Sequence, residues 1–346
     1  MIQPKFRICI STHFDNLKGS VVSLCEFPFR LVREATPCYI WDIKSCFSFT
    51  GCRVFPDYQK QELGIRNISM LTFNLVDTSF PHSNSSVGSR KPTSVSWNRG
   101  EAINGVPTFV TDRSIEFHTG SIDHENLAYA WTIESSSIQP AVIRKLISSS
   151  GRFETVFTHN SKLLNSLPNA KFSPGGGVWI GDSRVGGTLG IHRKTNLVSM
   201  LTSGKIQTKL HRFRLGLAWE FKHFHPGLVD VWLNPPAISS WEVLESYAFN
   251  VAIENFRDET YFTEKLLNCF ATGTVPIYHG ATGISEFFDP RGILQFETKS
   301  ELRDTLETLD FSDYEKMLPY IKENYERVQE YILIEDYISG KYFDKA

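Results

Sequence analysis

Residues 252–266 read AIENFRDETYFTEKL. An apolar run ends in Glu254-Asn255, a polar stretch follows, and Thr263-Glu264-Lys265 opens an amphipathic segment. A crossing built for packing alone needs no carboxylate, amide and Glu-Lys pair at one junction. The spacing predicts a strand over FNVAIEN and a helix over YFTEKLLNCFATG. Asn255 then lies at the strand's end, and Glu264 and Lys265 lie in the helix's first turns. Unpaired backbone N–H groups and the helix dipole make such a place a ready anion site. Thr263 as a cap and Glu264 as a complement to the dipole have a purely structural explanation. Lys265 does not, because a cation near a helix N-terminus is unfavourable unless an anion joins it.

A second cluster is basic. Between Asp182 and Asp230 there are eight Lys and Arg residues and one acid, Glu220. KLHRFRLGL carries Lys209, His211, Arg212 and Arg214 where a strand turns into a helix. A solvated basic face is one explanation, and a second clamp on the same anion is the other. Two cationic clamps and a helix terminus suit a diphosphate better than a single carboxylate.

The elements that must position these residues follow from periodicity. From about residue 175 onward strands alternate with helices: TNLVSMLTS, KLHRFRLGLAWEFKHF, LVDVWLN, WEVLESY, FNVAIEN, the TEKLLNCF helix, VPIYHG, SEFF, GILQF and SELRDTLETL. This pattern implies βαβ units and a parallel sheet, and apolar strands without alternation fit a sheet buried on both faces. The first half parses less cleanly. FRICIS, SMLTFNLVD, LAYAWTIES and FETVFTHN read as strands, and AVIRKLISSS and SKLLNSL as helices. Residues 78–105 read as a long irregular loop of the kind that often carries function. PGGG at 174–177 breaks the pattern between the halves and reads as an interdomain turn. The expected organisation is an N-terminal domain over 1–173, a second domain over 174–325, and a C-terminal helix over 326–346 that packs back toward the first.

The chain has 346 residues, a net charge of −2 and 41% hydrophobic content, which argues for a globular protein and against a general nucleic-acid binder. No stretch approaches the 18 or so apolar residues of a membrane span, and no signal-peptide core stands at the N-terminus. Of six cysteines, Cys9, Cys25, Cys38, Cys46 and Cys52 lie in the first 52 residues. They match no zinc spacing and read as buried thiols, as does Cys269 in its helix. His223 and His225 are too sparse for a metal centre. PGGG lacks the Lys-Ser/Thr of a phosphate loop, and no Gly-x-Ser-x-Gly or Asp-x-Asp motif occurs.

FNVAIENFRDETYFTEKLLNCFATGTVPIYHG resembles the signature of the family 10 glycosyltransferases, the α-1,3/1,4-fucosyltransferases. That pattern runs from an apolar strand through Glu-Asn, a spacer, Tyr-x-Thr-Glu-Lys-Leu and a helix to Gly-x-Val-Pro and a strand ending in Gly. The resemblance extends over about residues 128–300, through VFTHNSKLL, GGGVWI, KTNLVSMLTSGK, HRFRLGL and ISEFFDPRGILQF, and residues 1–125 show little of it. It implies an α/β fold of the GT-B type, with two doubly wound Rossmann-like domains facing across a cleft. It also implies a nucleotide-sugar donor, GDP-fucose, and a glycan acceptor. Lys265 and Arg214 would hold the pyrophosphate, and Asn255, Tyr261 and Glu264 would contact the ribose or sugar. YAWTIESSS resembles the family's acceptor-domain strand ending in Glu-Ser-Pro, which makes Glu134 the expected base; Ser136 replaces the Pro, and Glu125 is the weaker competitor. No metal and no other cofactor is expected, because Arg and Lys would stabilise the leaving diphosphate. The chain resembles the bacterial or viral members without a membrane anchor, so a cytoplasmic enzyme is expected. The alternatives are a transferase using a UDP-sugar and a non-catalytic glycan- or nucleotide-binding protein.

Overall fold

The computed structural model describes residues 70–118, 127–233 and 240–343. FRICIS, the five early cysteines and Glu125 lie outside these residues. In the first half come β1 (Leu71–Val76), β2 (Val95–Asn98), β3 (Thr108–Thr111), α1 (Ser114–His118), β4 (Ala128–Trp131), α2 (Pro140–Ser149), β5 (Thr155–Thr158), α3 (Ser161–Ser166) and β6 (Ala170–Phe172). The strands form one parallel sheet in the order β2-β1-β3-β4-β5-β6.

Both faces of this sheet are buried. Phe73, Phe109, Tyr129 and Phe157 point to one face, where the ring of Phe343 lies 5.2–6.3 Å from theirs. Their chain neighbours Val110, Ala128, Ala130 and Val156 point to the other, against Val142, Ile143 and Leu146 of α2. Alternate residues on opposite faces are the consequence of the strand's two-residue period.

The second half holds β7 (Asn196–Thr202), α4 (Lys209–Phe224), β8 (Asp230–Leu233), α5 (Ser240–Leu244), β9 (Tyr247–Ile253), α6 (Glu264–Thr272), β10 (Val275–His279), β11 (Leu294–Gln295), α7 (Lys299–Thr308), α8 (Phe311–Val328) and α9 (Ile334–Ile338). The sheet is again parallel, in the order β11-β10-β9-β7-β8. Every residue of β9 and β10 is buried, as their largely apolar, non-alternating character predicts, Asn250 and His279 included. SEFF forms a single 3₁₀ turn, Ile284–Glu286.

The chain leaves β7 toward β8 on one side and then crosses to β9 on the other. In an open parallel sheet such a reversal opens a crevice at the carboxyl ends of the two strands. The segments that leave β7 and β9 are the ones that lead to Arg214 and to Lys265.

Residues 78–105 are not wholly irregular. They contain β2, an edge strand paired in register with β1 from Leu71↔Val95 to Asn74↔Asn98. The remainder is tied to α9: Ser86 N–H donates to Glu335 Oε1 at 2.6 Å, and Ser94 N–H to Asp336 Oδ1 at 3.0 Å. Farther on, the Tyr342 hydroxyl donates to the Phe172 carbonyl at 2.7 Å. No helix among the described residues is long and apolar enough to cross a membrane.

Candidate active site

The N-terminus of α6 is built around a buried carboxylate. Thr263 caps the helix, its hydroxyl accepting from the Lys265 N–H. Glu254, directly after β9, is fully buried; its Oε1 accepts the Thr263 N–H at 2.9 Å and its Oε2 the Thr263 hydroxyl at 2.7 Å. The Lys265 ammonium then folds back over this cap. It lies 3.0 Å from Thr263 Oγ1, 2.8 Å from Glu264 Oε1 and 3.5 Å from Glu254 Oε2. The chain therefore supplies anions of its own beside this lysine. Lys265 is thus not left without an anion in the absence of a ligand.

Accessibility separates the three charges. Lys265 and Glu264 side chains keep 24% and 34% of their exposure, whereas Glu254 keeps none. A ligand can thus reach the first two only. Burial works against the Lys265 ammonium, but Glu264 and Glu254 outweigh it and hold its pKa above the usual lysine value. Burial raises the pKa of Glu254 despite Lys265 and the Thr263 bonds.

The basic cluster divides by helix phase. His211 and Arg214, three residues apart, face inward and are buried, while Lys209 and Arg212 face solvent. The Thr208 side chain accepts the His211 N–H at 3.0 Å, and His211 Nδ1 accepts the Thr208 N–H at 3.3 Å, a reciprocal cap on α4. Arg214 Nη1 donates to the Ile253 carbonyl at 3.1 Å, and its Nε has no partner. Burial lowers the Arg214 pKa, against the pull of Glu254 and Glu264. Asn255 Oδ1 is likewise buried without a partner. Orphaned polar atoms of this kind are uncommon in folded proteins and call for a physical reason.

Arg214, Asn255, Tyr261, Glu264 and Lys265 line one cleft of about 1140 Å³, together with Glu134 of the first sheet. The structure therefore brings the five expected donor-site residues and Glu134 to one cleft, with His211, whereas Lys209 and Arg212 of the basic cluster do not line it. The first-sheet wall also contributes Phe80, Phe117 and Ile133, so that side is partly apolar. Tyr261 is held tightly, 2% exposed, with its ring centroid 4.6 Å from that of His159. Burial and the nearby carboxylates keep its hydroxyl well above the usual pKa.

The cleft floor is a junction of the two sheets. Thr260 donates to the His159 carbonyl at 2.7 Å, and Asp258 Oδ2 accepts the Ser161 N–H at 3.1 Å. His159 also donates from Nε2 to the Glu134 carbonyl at 3.2 Å, and burial pushes its pKa down to about 4, so the ring is neutral. The PGGG segment is part of the same floor. A Cβ on Gly175 would stand 2.7 Å from the Tyr261 ring, and one on Gly176 would stand 3.1 Å from the Glu264 nitrogen. These glycines let the connection run against the start of α6.

Sequence reasoning missed Asp112 and gave His159 no role. Asp112 directly follows β3, a strand too short to show a period. His159 stands at the end of the predicted strand FETVFTHN with no neighbour in sequence to mark it. Cys269 is buried in α6, as its helical position suggested, and donates to the Lys265 carbonyl at 3.2 Å. Among the described residues, no group of three or more His, Cys, Asp or Glu side chains is placed to hold a metal ion.

Comparison with known proteins adds three findings. Residues 231–342 match the family model described as glycosyltransferase family 10 (fucosyltransferase) C-term. This range includes Asn255, Tyr261, Glu264 and Lys265 but neither Arg214 nor Glu134. An α-(1,3)-fucosyltransferase of Helicobacter pylori is 28% identical over 81 residues, 23% of this chain and 14% of that protein. An α-(1,4)-fucosyltransferase of Arabidopsis thaliana is 41% identical over 51 residues, 15% of this chain and 13% of that protein. The matched segments thus span about a seventh of those relatives. Among solved structures, Anabaena HepE in complex with UDP and glucose superposes with a TM-score of 0.52 at 8% identity, covering 80% of this chain and 100% of that chain. The fold is of the GT-B type, and the resemblance to the family 10 glycosyltransferases rests on the second half of the chain.

Proposed function

We propose that the protein is an inverting glycosyltransferase that moves L-fucose from GDP-fucose to a glycan hydroxyl, without a metal. The observation that carries this reading is the convergence of Arg214 and Lys265 on one cleft at the reversal point of the second sheet, with Glu134 in the same cleft from the first. The family match over residues 231–342 supports the donor class.

In this mechanism Arg214 and Lys265 hold the pyrophosphate. As the sugar C1–O bond breaks, the leaving nucleoside diphosphate gains negative charge. Fixed cations aimed at that charge then stabilise the transition state more than the ground state. Asn255, Tyr261 and Glu264 contact the ribose or sugar. Glu134 takes the proton of the acceptor hydroxyl as its oxygen attacks C1 from the face opposite the leaving group, and the β-linked donor gives an α-linked product. The support for metal independence is the pair of cations and the lack of an Asp-x-Asp motif in the sequence.

The test is a melting-temperature panel with GDP, UDP, GDP-fucose and UDP-sugars, followed by donor hydrolysis. The reading expects stabilisation by GDP and GDP-fucose above the uridine nucleotides, and slow release of GDP from GDP-fucose. Selective stabilisation by a UDP-sugar would replace the donor. Binding without hydrolysis or transfer would make the protein a binder.

A further inference from the structure

Asp112 is a strained and buried acid at the carboxyl end of β3. Its φ of 41° lies in the left-handed region, and among the described residues it is the only non-glycine residue with a positive φ. Such a conformation persists only where the surroundings over-determine it, and it concentrates at functional sites. The side chain is 1% exposed.

Its carboxylate is fully engaged with the two neighbouring loops. Oδ1 accepts the N–H of Ile133 at 2.8 Å and of Glu134 at 3.2 Å. Oδ2 accepts the hydroxyl of Ser79, a residue of the cleft wall. One acid thus ties together the segments that leave β1, β3 and β4. The opposite side of Glu134 is pinned as well, since its carbonyl takes the bond from His159 Nε2 at 3.2 Å. Glu134 is therefore held by both its N–H and its C=O, from two different strands.

Packing alone does not call for a carboxylate here. The carboxylate takes all three donors on two acceptor oxygens, where an amide offers one, and it does so at the cost of burying a charge, a cost visible in the Asp112 pKa, which burial pushes up to about 6. We infer that Asp112 is a positioning residue for the acceptor base: it fixes the Glu134 backbone so that the Glu134 carboxylate meets the acceptor hydroxyl. The inference rests on the reading of Glu134 as that base.

The test compares full-length Asp112→Gly, Asp112→Asn and Glu134→Gln with the parent in fucose transfer from GDP-fucose. Glycine accepts the positive φ without strain while removing the side chain and with it the carboxylate. Misplacing a catalytic group by about 1 Å can cost about 100-fold. The expected result for Asp112→Gly is thus a kcat lower by about 10- to 100-fold with donor KM within about threefold. Asparagine tolerates the left-handed backbone and keeps one acceptor oxygen, so it should recover most of that loss. A parental kcat in Asp112→Gly beside an inactive Glu134→Gln overturns the inference alone. Equal loss in the glycine and asparagine variants, with lowered melting temperature and raised donor KM, marks a merely structural role and overturns it too. A fully active Glu134→Gln overturns the base reading first. Should the glycine variant not fold, Ser79→Ala carries the test by removing only the Oδ2 partner. A kcat lower by about threefold or more at unchanged donor KM supports the inference, and an unchanged kcat overturns it.

Discussion

The Lys265 ammonium lies 3.5 Å from the Glu254 carboxylate, a side chain with no exposure at all. Besides the role proposed for it toward the diphosphate, the lysine therefore faces a buried acid. Lys265→Met should abolish measurable transfer, since a charge-assisted contact is worth about 1.5–3 kcal/mol in the ground state and more as the diphosphate leaves. It should also lower the melting temperature, because Glu254 keeps its Thr263 bonds but loses its cation. Adding Glu254→Gln should restore stability and not transfer, with a coupling of about 0.5–3 kcal/mol in denaturant unfolding. Strict additivity of the two stability changes would show that the pair is not coupled.

Glu134→Gln separates chemistry from donor binding. A general base contributes about 100- to 10,000-fold, so transfer to the best acceptor on a glycan array should fall by at least about 100-fold. GDP affinity should stay within a few fold, because the acceptor lies between this residue and the donor. Loss of GDP binding would instead assign Glu134 to the nucleotide site, and a parental rate would move the base elsewhere.

The His211 ring predicts a pH dependence of stability. Burial, then Arg214, Lys265 and Lys205, push its pKa down to about 4, against about 6.5 in an unfolded chain. The unfolded state takes up the proton first as pH falls. The stability contributed by neutral His211 is therefore present above about 6.5 and is lost progressively toward pH 4. Glu335, raised to about 7, and Asp112, raised to about 6, act with the opposite sign. They are common to parent and variant, so the difference isolates the histidine. Urea unfolding of the parent and His211→Gln at pH 7 and pH 4.5 should show the larger acid loss in the parent. Equal losses would remove His211 as the source.

Transfer should persist in excess EDTA, since Arg214 and Lys265 are read as the groups that neutralise the leaving diphosphate. Complete loss on chelation, restored by manganese, would show that carboxylates of the cleft bind a metal.

Much of the second sheet and its helices is legible in the sequence. β9 and β10 announce themselves as apolar runs without alternation, and the helix read as KLHRFRLGLAWEFKHF coincides with Lys209–Phe224. The three-residue spacing of His211 and Arg214 already places them on one helix face. The first sheet was harder to read. β3 and β6 have four and three residues, too few to show a period, and β2 hides inside a Ser- and Pro-rich stretch. Their existence depends on neighbours in the sheet rather than on local pattern. Asp112 was out of reach for the same reason, because its role depends on a left-handed backbone and on three loops meeting. Helix position alone does not reveal that Glu254 sits beneath the cap and gives Lys265 an anion within the chain.

Titration of GDP into the parent protein and Arg214→Met by calorimetry tests the central claim most directly. Arg214 is buried, lines the cleft and has an unpartnered Nε. If it grips the diphosphate, its removal should weaken GDP binding by about 1.5–3 kcal/mol, roughly 10- to 150-fold, while the melting temperature without ligand changes little. Equal GDP affinity in the two proteins would contradict the account and place the diphosphate somewhere other than between Arg214 and Lys265.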